Sequence, residues 1–439
     1  MAFVHPGSCE CTKSELDLFS LPQTQTSVEA GSWVEFHPLS TLTHGAPIEF
    51  NISGSGQDYI DLANTQLYVK AQIVKDTGAA LANGDHVGPI NLFLHSLFSE
   101  VDIALNDTVV TSSNNTYAYR AYLETLLSYG RDAKKSQLTS SLYYKDSATH
   151  FEETNGDEDG CQNLGLKART ALSHDAPIDL IGNLHADLFF QSRYILNDVN
   201  IKVRLVRNKD AFCLMAPAGS AFKVNILDCK LFVRKMKISP SVFVAHAKVM
   251  ETTTAKYPIR RAVCKSFTIP RGNLDVSQES LFSGQLPCRI VLGLVDNDSY
   301  NGSYSKNPFN FKHHHLNQVK IYLDGQQQSL KPIEPDYANN QFIAAYSAVF
   351  AGTGKLARDE GLDITREDYS GGYALYCYDL TPDLAEDIGH FNLIKQGNIR
   401  LDLKFSQALA NTINVIAYAE FESVLEIDRN RAVIYDYKN

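Results

Sequence analysis

The chain has 439 residues, more than the roughly 250–300 at which a single core stops growing, so two domains are expected. A net charge of −10 with 44% hydrophobic residues is ordinary for a globular protein and argues against general nucleic-acid binding over the whole surface. Every apolar run falls short of the roughly 18–20 residues of a membrane span, Met1–Pro6 does not read as a signal segment, and the eight cysteines lack zinc-type paired spacing.

Residues 1–30 read as a largely polar N-terminal arm, with Leu16, Leu18 and Phe19 as its candidate apolar segment. Strand patterns follow. Thr65 to Ile73, Val101 to Leu105, Ile201 to Leu205 and Val224 to Val233 alternate apolar with polar residues, the signature of a half-buried strand. Later in the chain Arg289 to Val295, Val319 to Leu323, Ile399 to Phe405 and Ile413 to Val424 do the same. Helical signal is sparse. Tyr119, Tyr122, Leu123, Leu126 and Leu127 recur at helical spacing after Ser112-Ser113-Asn114-Asn115, and a second run spans Tyr337 to Phe350.

These elements repeat. Phe50-Asn51-Ile52 is matched by Phe267-Thr268-Ile269 at an offset of 217, and Val101 to Asn106 by Val319 to Asp324 at 218. The helix-like run opening at Tyr117 is matched at Tyr337, an offset of 220. Asp179-Leu180 is matched by Asp379-Leu380, and Asn200-Ile201-Lys202 by Asn398-Ile399-Arg400, at offsets of 200 and 198. A colinear repeat this long is a duplicated domain, since solenoid units run roughly 20–50 residues. The drop in offset puts about 20 extra residues in the first copy, around the acidic run Glu152 to Gly160, which reads as a solvated loop. The expected fold is all-β: two tandem jelly-roll sandwiches with one short inserted helix per copy. The divisions are an arm over 1–30, a first jelly roll over 31–238, a basic linker over 239–256 and a second jelly roll over 257–439.

No catalytic, cofactor-binding or metal-binding residue is assigned. Gly352-Thr353-Gly354-Lys355 lacks the glycine that a phosphate loop needs at Val349 and the hydroxyl it needs at Leu356, so it reads as a turn. His313 and His315 would share a face on an extended chain, but no third metal ligand is visible, and a strand entry or loop is expected. One charge feature stands out. Lys230 to Lys265 holds nine basic residues and a single acid, Glu251, around the junction of the two copies. Arg234, Lys235, Lys237, Arg260 and Arg261 are its candidate members for a basic patch facing a genome, a membrane or an acidic neighbour.

The arm Ser14 to Phe19, the strand Val101 to Asn106 with its Tyr-rich helix, and the duplicated Asp-Leu elements resemble hexon-like double jelly-roll major capsid proteins. The similarity is to the capsid protein of Polinton (Maverick) elements and their adintovirus relatives. It implies trimers that look hexagonal from above and tile an icosahedral shell. The implied partners are further copies of the chain and a penton or minor capsid protein, with no sequence-specific nucleic acid and no membrane span. The implied location is the virion capsid, after synthesis as a soluble protein inside the host cell. Two other classes compete: a domesticated, element-derived interaction protein and a tandem jelly-roll enzyme acting on glycans.

Overall fold

The computed structural model describes residues 3–435 except 43–44, 55, 83, 112–113, 158–159, 175, 325, 328–331 and 385–389. Its main strands fall into two sets of eight. The first set is β1 (Val28–Phe36), β2 (Ile48–Ile52), β3 (Asp58–Lys75), β4 (Phe98–Leu105), β5 (Thr108–Val109), β6 (Ile178–Asn183), β7 (Ile201–Arg207) and β8 (Phe222–Ile238). The second is β9 (Ala255–Ile269), β10 (Asp275–Gln285), β11 (Arg289–Asp296), β12 (Leu316–Leu323), β13 (Gln326–Gln327), β14 (Leu375–Asp379), β15 (Gln396–Phe405) and β16 (Ile413–Ile427). A last strand, β17 (Val433–Tyr435), pairs with β16.

The first set forms two sheets in the orders β1-β8-β3-β6 and β2-β7-β4-β5. The second forms β9-β16-β11-β14 and β10-β15-β12-β13. Adding eight to each strand number converts one arrangement into the other, so the chain is a jelly roll made twice. Period-two alternation builds each sandwich. In β2, Ile48, Phe50 and Ile52 are buried while Glu49 and Asn51 are exposed. In β7, Ile201, Val203 and Leu205 point inward while Lys202 and Arg204 point out. Arg204 sits 3.0 Å from Asp102 and 3.7 Å from Glu49, a surface charge row across three strands.

The repeat matches hold unevenly. Val101 and Val319 lie on the fourth strands, and Asn200 and Asn398 at or beside the start of pairing in the seventh strands. The register between those strands is the same in both copies: Leu105 faces Ile201, and Leu323 faces Ile399. The Phe50 and Phe267 match is misplaced, because Phe50 lies in β2 and Phe267 in β9, the counterpart of β1. Any half-buried strand offers an apolar-polar-apolar triplet, so three residues do not fix which strand is meant. Asp179 and Asp379 lie on corresponding strands but near opposite ends.

Four helices exceed eight residues: α1 (Tyr117–Ser128), α2 (Leu164–Ser173), α3 (Pro240–Val249) and α4 (Ile343–Gly352). Helices α1 and α4 are the paired inserts, though α4 opens six residues after Tyr337. The Asp336 carboxylate accepts the Asn339 amide at 3.2 Å and holds Tyr337 to Asn340 in a turn. Helix α2 lies in the extra length of the first copy, and its start is set by Asn163, whose side chain accepts the Leu166 amide. The acidic run before it is a loop exposed at Glu152, Asp157 and Gly160, as expected, and its described side chains also tie it to the fold; Glu158 and Asp159 lie outside the described residues. Glu152 pairs with Lys312, Asp157 with His86 at 2.8 Å, and Glu153 accepts the amides of Gln162 and Asn163. Gly156 packs so closely on α2 that a Cβ there would meet Thr170 Oγ1 at 2.4 Å. Between the sandwiches Pro240 occupies the first turn of α3, where its missing amide costs nothing.

Candidate functional site

Three regions are the candidates: the arm, the junction and the seam between the sandwiches. The arm lies over the surface. Leu16, Leu18 and Phe19 are 68, 74 and 97% exposed. Among its described residues a short 3-10 turn at Ser14–Leu16 is the only regular element before β1, which begins at Val28, inside the stretch expected to be arm.

The basic residues of the junction do not gather on one surface. Arg261 is buried, with its guanidinium 4.3 Å from the Phe421 ring centroid. Arg234 lies over the Trp33 ring, and its neighbour Lys235 donates to the Ser53 carbonyl at 3.0 Å. Consecutive strand residues point to opposite faces, which separates these two. Lys237 is exposed and lies 3.3 Å from Glu29, and Arg260 is exposed on β9. Lys230 is answered by Asp228 and Glu35, and Lys256 by Glu426 at 3.0 Å. The run is basic in sequence because its partner acids, Asp228, Glu29, Glu35 and Glu426, lie outside it.

Helix α1 of the first sandwich makes the seam. Arg120 donates to Asp187 at 2.6 Å and to Glu124 at 2.8 Å, and both carboxylates are buried or nearly so. Asp187 also accepts the amide of Ala262, in β9 of the second sandwich, at 3.0 Å. Tyr418, in β16, donates to Glu420 at 2.8 Å and reaches Glu124 at 3.3 Å. Tyr122 stacks on Phe309 with ring centroids 4.1 Å apart. Burial pushes the Asp187 carboxyl up, and Arg120 offsets this only in part. Burial acts the same way on Glu124, but Arg120 and His185 outweigh it and hold that carboxyl below its ordinary range. Lys134 adds a second tie. Its ammonium donates to the carbonyls of Leu126, in α1, and Leu362, in the second sandwich, at 2.8 and 2.6 Å. Burial drives its pKa down to about 7. None of this was visible in sequence, because the partners lie far apart and share no local pattern.

The remaining motifs resolve into structural parts. Gly352 to Lys355 closes α4: the Lys355 amide bonds to the Phe350 carbonyl at 2.9 Å, and its ammonium donates to Ser128 at the end of α1. His314 and His315 adopt positive φ of 44° and 55°, so the chain turns there instead of extending. His313 accepts the His315 amide and stacks on Tyr337 at 4.0 Å. Burial depresses His313 and His314 to about 4. Among the described residues no group of three or more His, Cys, Asp or Glu side chains is placed to hold a metal. None of the eight cysteines forms a disulfide.

No family model matches the chain. It is 26% identical over 438 residues to an uncharacterised protein of Caenorhabditis elegans, covering 95% of this chain and 99% of that one. Its fold is that of double jelly-roll viral capsid proteins. A chain of the Sputnik virophage superposes with a TM-score of 0.66 at 10% identity, covering 98% of this chain and 94% of that one. The capsid of PBCV-1 gives 0.58 at 12% identity, with coverages of 96 and 100%. The mavirus major capsid protein gives 0.54 at 12% identity, with coverages of 99 and 95%. Among the described residues no helix is long and apolar enough to cross a membrane.

Proposed function

We propose that the chain is a structural protein of a shell: it trimerises into pseudo-hexameric capsomers that assemble into an icosahedral capsid. The observation that carries this reading is the duplicated eight-strand sandwich locked by a buried seam, in a fold shared with viral capsid proteins. Two fixed sandwiches per chain give six corners per trimer, and closed rotational symmetry is the usual rule for such assemblies. The residues that resemble the Polinton and adintovirus capsid protein favour that lineage. A full-length relative in a nematode fits a gene carried in animal genomes. In this reading Leu16, Leu18 and Phe19 act between subunits. Of the five candidate basic residues, Lys237 and Arg260 are the exposed ones and would face an acidic neighbour.

The test is sedimentation of the purified chain at micromolar concentration, followed by negative-stain microscopy. A mass of three chains, with contacts above the roughly 1,200 Å² of stable interfaces, and rings or shells on the grid are expected. A stable one-chain or two-chain mass overturns the proposal. A trimer that never forms larger particles favours the domesticated interaction protein instead. Deletion of residues 1–22 should leave the melting temperature unchanged and impair shell formation.

A further inference from the structure

A cavity of about 460 Å³ opens between α3 and the facing edges of both sandwiches. Its walls are apolar: Tyr59, Leu196 and Ile238 from the first sandwich, Tyr257 from the second, and Val242 and Val249 from one face of α3. Arg193, Lys256 and His246 also line it, with His246 held 3.0 Å from the Tyr59 hydroxyl. No side chain of α3 is fully buried, although the helix is mostly apolar. The same chain carries a segment of complementary character. In the arm, Leu16 and Leu18 alternate with Glu15 and Asp17 and lead to Phe19, so apolar side chains come with acids that could face Arg193 and join Glu426 at Lys256.

We propose that this cavity receives Leu16 to Phe19 from the arm of a neighbouring copy. The inference rests on the shell reading above. Leu16, Leu18 and Phe19 are exposed and do not line the cavity of their own chain, which favours exchange between copies over folding back. Ser27 and Val28 line the cavity, so the arm leaves at its edge. There Gln25 donates to the Val28 carbonyl at 3.1 Å and accepts the Val28 amide at 2.8 Å. The eight residue steps from Phe19 to Ser27 reach roughly 26–29 Å when extended, enough to pass to an adjoining subunit.

A photoreactive phenylalanine analogue at position 19 of the full chain tests this. Particles are assembled from a mixture of light and heavy nitrogen-labelled chains, irradiated and digested. Crosslinks from residue 19 to Val242–Met250 or Tyr257 of the other isotope are expected. As a second measurement, Val242→Trp fills the cavity and Phe19→Asp removes the guest. Each should raise the concentration needed for particles about tenfold, with trimer mass and melting temperature kept, and the double variant should be no worse than either single one. Crosslinks confined to one isotope, or to another surface, overturn the assignment and leave the shell reading standing. So does a copurifying acyl lipid that Val242→Trp displaces without affecting assembly. If the unmodified chain forms no particles at all, both readings fall.

Discussion

Asp324 does in the second sandwich what Asn106 does in the first. Each sits at positive φ at the end of the fourth strand, and each side-chain oxygen accepts the backbone amide that opens the seventh, from Asn398 and Asn200 respectively, both at 2.8 Å. Their own amides return the bond, to the Asn398 and Asn200 carbonyls at 3.0 and 2.9 Å. Asn and Asp tolerate the left-handed region and carry a short acceptor, so both sequences satisfy one turn.

Asp324→Ala removes the acceptor and keeps the strained backbone, so a loss of about 1–3 kcal/mol is expected. Asp324→Asn should stay close to wild type because the first copy already uses Asn there. Urea unfolding of the two variants checks this. Equal losses would show that the amide bond does not stabilise the turn.

Arg120→Ala leaves Asp187 and Glu124 buried without their shared cation. Breaking such a pair by removing one partner costs about 3–5 kcal/mol. The loss should appear as a split transition, because the seam joins the two sandwiches. Calorimetry that shows a single transition at an unchanged temperature contradicts this role.

Acid should destabilise the fold through His313 and His314. Their folded values of about 4 lie below the ordinary 6.5, so the unfolded chain binds more protons between those limits. Stability therefore falls as pH drops from about 6.5 towards 4. The variant His313→Gln with His314→Gln should lose part of that slope in urea titrations at pH 7, 5.5 and 4.5, and an unchanged slope would place the acid response elsewhere.

Lys134 works in the opposite range. Its folded value of about 7 lies below the ordinary 10.5, so the unfolded chain holds the proton longer and stability rises with pH across that window. Below pH 7 both states are charged and the contribution is flat. Lys134→Met should show a smaller rise between pH 7 and 10 than wild type. Parallel curves would mean that the buried ammonium is not the source.

The duplication was legible where local chemistry constrains the chain most. Alternation defines the strand, and Asn106 or Asp324 defines where it ends, so the fourth and seventh strands matched in place and in register. Phe50 and Phe267 mismatched because alternation alone does not name a strand. Helix α2 does carry a local signal, the cap Asn163 followed by Leu164 to Leu172. The seam left none: Arg120, Asp187, Ala262 and Tyr418 meet only after both sandwiches exist.

A joint built from buried ion pairs and stacked rings does not act as a hinge. Each chain therefore presents its two sandwiches at one set angle. In the proposed shell, any curvature has to arise where one molecule meets the next, because the joint inside each chain is fixed.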